Sequence, residues 1–272
     1  MRMKRMLSIA FSILMLCCLL LVGFAKAGNS AYSIVEFWAQ VTPTINGQWS
    51  PDSEWSDGPP INISDNADFI YVVDTSAGSG YYMIQILIEF YNDTTDDADD
   101  LWQICFDQSN AGGTAPTAAC FKIDIEGHTN LTFYQGNGGG WTDITAGGEI
   151  EWADSISASP TNSTPHWILE LQFNKEAGLI TVPQPANGMR IAVYDASNPS
   201  AGVEAWPPAS SADVPNEYGV IATYSQDPYV PEAFSIGVVV LLSSVAVAVS
   251  FYFLRKRPKT ESQRIGEISY TS

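Results

Sequence analysis

The chain has 272 residues, 46% of them apolar or aromatic, with 30 Asp and Glu against 12 Lys and Arg. That apolar content is too high for a disordered stalk, and the net charge of −18 excludes nucleic acid and disfavours anionic lipid headgroups as partners.

Residues 1–27 read as a secretory signal. Arg2, Lys4 and Arg5 start it, "MLSIAFSILMLCCLLLVGF" forms its apolar middle, and Ala25-Lys26-Ala27 offers a small-residue cleavage site. The length of the middle also suits a first membrane anchor. With cleavage, the mature chain begins near Gly28.

Residues 28–225 are long enough for one domain with a substantial core. From Gly28 to Ala233 there are 28 Asp and Glu against Lys122, Lys175 and Arg190, a net charge of −25. This balance suits a neutral ligand, a divalent cation or a salty medium that screens the self-repulsion. Alternating runs predict strands near 33–41, 68–74, 81–91, 101–107, 119–126, 130–135, 148–152, 166–174, 188–195 and 218–224. In "HWILELQF", Trp167, Leu169, Leu171 and Phe173 alternate with Ile168, Glu170 and Gln172. Gly, Pro, Asn and Ser fill the gaps, as in "GNGGG" and "NPSAG". Many short strands with polar loops predict an all-β, antiparallel β-sandwich of jelly-roll type.

Between Asn92 and Phe106 the chain reads "NDTTDDADDLWQICF", with five aspartates from Asp93 to Asp100 and no Lys or Arg between Lys26 and Lys122. Hard cations such as Ca²⁺ take several oxygen ligands, which loop carboxylates one or two residues apart can supply. The expected ligands are Asp96, Asp97, Asp99 and Asp100, although the spacing is not that of an EF-hand. A solvated acidic loop tip is the alternative.

Two cysteines follow the signal. Strand parity points Cys105 and Cys120 away from the apolar faces of neighbouring strands, which predicts a disulfide between them in an oxidising compartment. Sequons at Asn62, Asn92, Asn130 and Asn162 are candidate glycosylation sites.

Residues 226–233 read as a linker. Phe234 to Leu254, "FSIGVVVLLSSVAVAVSFYFL", matches a bilayer core at helical rise and carries no charge. "RKRPK", Arg255 to Lys259, is the expected cytoplasmic anchor, and the tail runs to Ser272. The expectation is a single-pass cell-membrane protein with its bulk outside. "VPEAFS", Val230 to Ser235, resembles the Pro-Glu-Phe type of C-terminal sorting signal of archaeal surface proteins, with Ala233 inserted.

"PTINGQWSPDSEWSDGPPINI" resembles the opening of the family 9 carbohydrate-binding modules, whose wider superfamily shares a β-sandwich with DOMON domains. "FIYVVDT", "YYMIQILIEFYND", "DDADDLWQICFD", "HWILELQFNKEAGL" and "GMRIAVYDAS" are similar to its later strands, so the resemblance spans most of residues 36–224. Asn46 stands where the family usually has Asp. The resemblance implies binding of a sugar or a haem, and structural calcium is common in the sugar-binding members.

Sugars are held by aromatic rings stacked on pyranose faces, with polar groups at the hydroxyls. Of the eight tryptophans, Trp55, Trp102 and Trp167 read as core, whereas Trp141 and Trp206 fall in predicted loops. Trp141 and Trp206, assisted by Tyr134 and Gln135, are the expected carbohydrate platform, unless the loop indoles fold back as lids. Haem would need axial ligands from Met83, Met189, His128, His166 or Lys122, and Met189 reads as core. No Gly-x-Ser-x-Gly or His-Glu-x-x-His occurs; Glu149, Glu151, Asp154 and Glu170 are the acids from which a glycosidase pair would come. The reading is a surface carbohydrate-binding module, calcium-stabilised and without chemistry of its own. A structural surface-layer or adhesion protein with an acidic face is the alternative, and a haem-binding electron carrier the third.

Overall fold

The computed structural model describes residues 28–49, 53–74, 83–144, 150–174 and 186–222. The expected signal, linker, membrane span and tail lie outside the described residues. Among those described, no helix is long and apolar enough to cross a membrane.

The strands are β1 (Asn29–Val35), β2 (Phe37–Trp38), β3 (Ile61–Ser64), β4 (Ala67–Asp74), β5 (Met83–Phe90), β6 (Leu101–Asp107) and β7 (Cys120–Glu126). They continue with β8 (Asn130–Gly136), β9 (Trp141–Asp143), β10 (Ile150–Ser157), β11 (His166–Asn174), β12 (Ala186–Tyr194), β13 (Glu204–Trp206) and β14 (Gly219–Ala222). A front sheet runs β1-β14-β12-β6-β7-β8-β9, with β13 sharing the β14 edge of β12. A back sheet runs β10-β11-β5-β4-β2, with β3 beside β2 on β4. The fold is therefore all-β in two sheets, as expected, but it is not purely antiparallel. β1 pairs with β14, and β2 with β4, in parallel. Both exceptions arise because one N-terminal stretch leaves the front sheet at Glu36 and joins the back sheet one residue later, closing one side of the sandwich.

Alternation explains the core. Trp102, Ile104 and Phe106 of β6 and Phe121, Ile123 and Ile125 of β7 meet Ile86, Ile88 and Phe90 of β5 and Leu169, Leu171 and Phe173 of β11 between the sheets. Each such side chain contributes about 1.5–3 kcal/mol by leaving water. The back sheet is buried on its other face too. Trp49 and Trp55, from the segment before β3, pack on Ile70, Val72, Leu87 and Ile168. This second layer rests on Glu170, which is fully buried: its Oε2 accepts from the Asn46 and Gly47 amides at 2.7 and 2.9 Å, and its Oε1 from Trp55 Nε1 at 2.7 Å. Gly47 has φ +76°, and a Cβ there would lie 2.7 Å from the Asp154 carbonyl carbon, so the turn requires glycine. Burial pushes the Glu170 carboxyl up, partly offset by the Asn46, Trp55 and Gly47 donors.

The expected disulfide is corrected. Cys105 and Cys120 are both buried free thiols. The register places Cys105 opposite Lys122 and Cys120 opposite Asp107, so the two cysteines are diagonal neighbours. Diagonal pairs stand about 7–8 Å apart, beyond the usual disulfide Cα separation of about 5.5–6 Å. Burial pushes the Cys105 thiol up to about 11 and raises that of Cys120, which keeps both protonated and inert at neutral pH.

Candidate functional site

Two places on the sandwich gather side chains with chemistry. The first is the outward face of the front sheet, where strand parity aligns Gln103, Lys122, Asp124, Tyr134 and Arg190. Lys122 and Arg190 are the Lys and Arg of the described residues, and both lie here. Arg190 donates through Nε to the Ser210 carbonyl at 2.9 Å and through Nη1 to Gln103 Oε1. Gln103 Nε2 donates to Asp124 Oδ1 at 2.9 Å, and the other Asp124 oxygen pairs with Lys122 Nζ. The ammonium lies 4.0 Å from the Tyr134 ring centroid and 5.9 Å from that of Trp141, where a cation meets the negative ring face. Trp141 Nε1 in turn donates to Asp213 Oδ1 at 2.9 Å. A continuous polar chain thus crosses the sheet and ends on two half-buried aromatic rings.

Of the four residues expected at a sugar platform, the fold brings together Tyr134 and Trp141. Gln135 faces the other way by alternation, and its Nε2 donates to the Ala118 carbonyl at 2.9 Å. Trp206 is corrected: it lies on β13, not in an open loop, and is 4% exposed. Its indole meets Phe69 edge-on at 5.2 Å and covers Gly219, so it offers no face to a ligand.

The second place is the end of the sandwich formed by the β5–β6 loop, the β7–β8 turn and the loop after β12. Asp97, Asp100 and Asp195 each bring a carboxylate oxygen within 4.8 Å of the others, and a ring nitrogen of His128 forms a second such group with carboxylate oxygens of Asp93 and Asp100. Asp100 Oδ1 accepts from the Ala196 amide at 2.8 Å and Oδ2 from the Asp97 amide at 2.9 Å, which ties the two loops together. Asp96 and Asp99 are exposed and stand outside both groups. Burial pushes Asp93 up to about 6, eased by the Thr95 amide and reinforced by the Asp100 and Asp195 charges. Asp97 Oδ2 is buried with no hydrogen-bond partner. An all-oxygen donor set with an orphaned buried carboxylate oxygen fits a hard cation such as Ca²⁺.

His128 borders this cluster. Its ring bridges Asp154 Oδ2 at 2.6 Å and Asp100 Oδ2 at 3.2 Å, and Asp154 also accepts from Trp102 Nε1 at 3.0 Å. Burial disfavours charge on the imidazole, but Asp154 and Asp100 outweigh it and hold His128 above its ordinary range.

The haem candidates and the candidate acids are placed by the same geometry. His166 is fully buried against Glu89, Met189 is fully buried in the core, and Met83 is half-buried where β5 starts. Glu149 lies outside the described residues. Glu151 accepts from Gln172 Nε2 at 2.5 Å, Asp154 is committed to His128 and Trp102, and Glu170 to the opening turn. Asn62, Asn92 and Asn130 are exposed and Asn162 is half-buried, all at the end that carries the acidic cluster.

The sequence reading did not place Asp93, Asp195 or His128 at the acidic cluster. Asp195 carried one legible signal: like Asp107, it directly ends an alternating run and begins an aspartate turn, with the Ser197 amide on its Oδ1 at 2.7 Å. No family model matches the chain, and no curated protein matches it. Among solved structures it is similar to a family 9 carbohydrate-binding module from Caldicellulosiruptor kristjanssonii in complex with glucose. That match has 12% identity and a TM-score of 0.45, and covers 73% of this chain and 100% of the other. A second is the family 9 module from the same organism in complex with cellotriose, with 14% identity, 73% and 98% coverage and a TM-score of 0.46.

Proposed function

We propose that this chain is a non-catalytic carbohydrate-binding module, displayed at a cell surface by its C-terminal apolar segment and stabilised by calcium. The observation that supports it most is the pairing of Tyr134 and Trp141 on one outward sheet face, beside Lys122, Asp124 and Asp213. Half-buried rings flanked by charged donors and acceptors suit a pyranose, which has an apolar face and a polar rim. Tyr134 has the Lys122 ammonium over its ring, so Trp141 is the stacking surface and Tyr134 its support. Calcium, in this reading, is held by Asp97, Asp100 and Asp195, with Asp93 beside Asp100, and offsets the mutual repulsion of carboxylates gathered from two loops. Its role is to fix two loops, with no part in chemistry.

A glycan array probed with the full chain tests this. The expected result is a reproducible glycan signal that Trp141→Ala reduces at least about tenfold, while the melting temperature is held. An array without signal overturns the reading and selects a structural surface component, for which the dense exposed acids of the β5–β6 loop would be the working feature.

A further inference from the structure

At the acidic end of the front sheet, a cavity of about 260 Å³ is lined by Ala98, Asp99, Leu101, Glu126, Tyr194 and Val203. Tyr194, Leu101 and Glu126 are consecutive partners in one row across β12, β6 and β7, so their side chains project together from the outward face. Asp99 comes from the β5–β6 loop and Val203 from the loop before β13; Val203 is 54% exposed, one of few large apolar side chains so placed. The volume is just below the range of about 300–1,000 Å³ usual for small-molecule sites, which suits a single ring.

The lining decides the ligand class. A phenol ring and three aliphatic side chains supply apolar surface, and two carboxylates supply acceptors. Among the described residues, no Lys or Arg lines the cavity. Lys122 and Arg190 are engaged elsewhere on the same face, with Asp124 and Gln103. Asp99 and Glu126 themselves give the cavity a negative potential. A neutral polyol would satisfy the apolar lining but leave that potential unused, and an anion would be repelled.

We propose that this cavity takes a pyranose bearing a free, protonated amine, as in a glucosamine oligomer. The ammonium sits between Asp99 and Glu126 near the Tyr194 ring, and the apolar ring face lies against Leu101 and Val203. Four residues of β7 separate Glu126 from Lys122, about 13 Å along the strand, so one oligomer reaches from the cavity toward Trp141. The proposal rests on the carbohydrate reading only in taking the amine's carrier to be a sugar.

The test is calorimetric titration of the full chain with a glucosamine trimer, with its fully N-acetylated counterpart, and with cyclohexylamine. The free-amine trimer is expected to bind at least about tenfold tighter than the acetylated one, which keeps the skeleton and loses the charge. Glu126→Gln and Tyr194→Ala are each expected to weaken it about tenfold, whereas Asp65→Asn, an equal charge change in the exposed β3–β4 turn, leaves it within about twofold. Equal binding of the two trimers overturns the proposal, as does an Asp65→Asn loss matching that of Glu126→Gln, which would mean bulk attraction. Cyclohexylamine binding as tightly as glucosamine overturns the sugar assignment. Neutral glycans bound on the array with no glucosamine binding overturn the cavity and leave the Trp141 face standing; failure of both overturns both.

Discussion

The imidazole of His128 lies flat on the indole of Trp167, with 3.5 Å between centroids and 10° between planes. Trp167 belongs to β11 of the back sheet and His128 to the turn joining β7 and β8 of the front sheet, so the stack closes one end of the sandwich. Because His128 also bridges Asp100 and Asp154, His128→Ala leaves two buried carboxylates short of a partner. The expected loss is about 3–5 kcal/mol in urea unfolding. His128 has φ +57°, which Asn tolerates, so His128→Asn is expected to lose less than His128→Ala.

The buried His166–Glu89 pair predicts a pH window. Burial lowers the tendency of His166 to charge, but the Glu89 hydrogen bond, the Thr164 carbonyl and the Glu89 charge hold its pKa above the ordinary value. Its contribution is fully present below about 6.5, the unfolded value, and is lost as pH rises through the raised folded value. For Glu89, burial pushes up, but His166, Ser159 and Thr161 hold the carboxyl low. Its contribution is present above about 4.3 and lost as pH falls through the depressed value. Glu89→Gln is therefore expected to cost about 3 kcal/mol at pH 6 and distinctly less at pH 9, read from melting curves across that range.

Calcium is expected to raise the melting temperature, since a ligand bound only by the folded chain stabilises it by about 2.7 kcal/mol at a hundred times its dissociation constant. Asp195→Asn is expected to remove most of that shift, and Asp96→Asn to leave it intact. The opposite order returns the site to the exposed aspartates of the loop tip.

Gly219→Ala tests the burial of Trp206. A Cβ at Gly219 would stand 2.3 Å from Trp206 Cη2, so the indole must move or the strand must shift. The expected cost is about 1–3 kcal/mol, partly recovered in the double variant with Trp206→Phe.

Reductant provides a control on the cysteines. With Cys105 and Cys120 as separate buried thiols, dithiothreitol is expected to leave the melting temperature unchanged, and alkylation of both to require denaturant.

Strands long enough to alternate were legible: 101–107, with Trp102, Ile104 and Phe106 inward, appears where its pattern put it. β3, β9 and β13 are three or four residues of pairing set by neighbours, and so short a segment has no period to read. Trp206 was misread for that reason. The second layer over the back sheet was hidden because Glu170 reaches partners 123 and 124 residues away. Likewise Asp97 and Asp100 announced themselves in a run of acids, while Asp195 joins them only through the β6–β12 register.

The parallel seam between β1 and β14 carries a consequence for biogenesis. Among the described strands, residues 29–35 emerge first, yet their hydrogen-bonding partner at 219–222 follows all the others. The earliest strand must wait, unzipped, through synthesis of nearly the whole domain, since so distant a contact forms only after the intervening chain has condensed. Completion is thus a late, all-or-nothing event, and a polypeptide stopped short of Gly219 would leave the flank of β12 bare and ready to join a stranger.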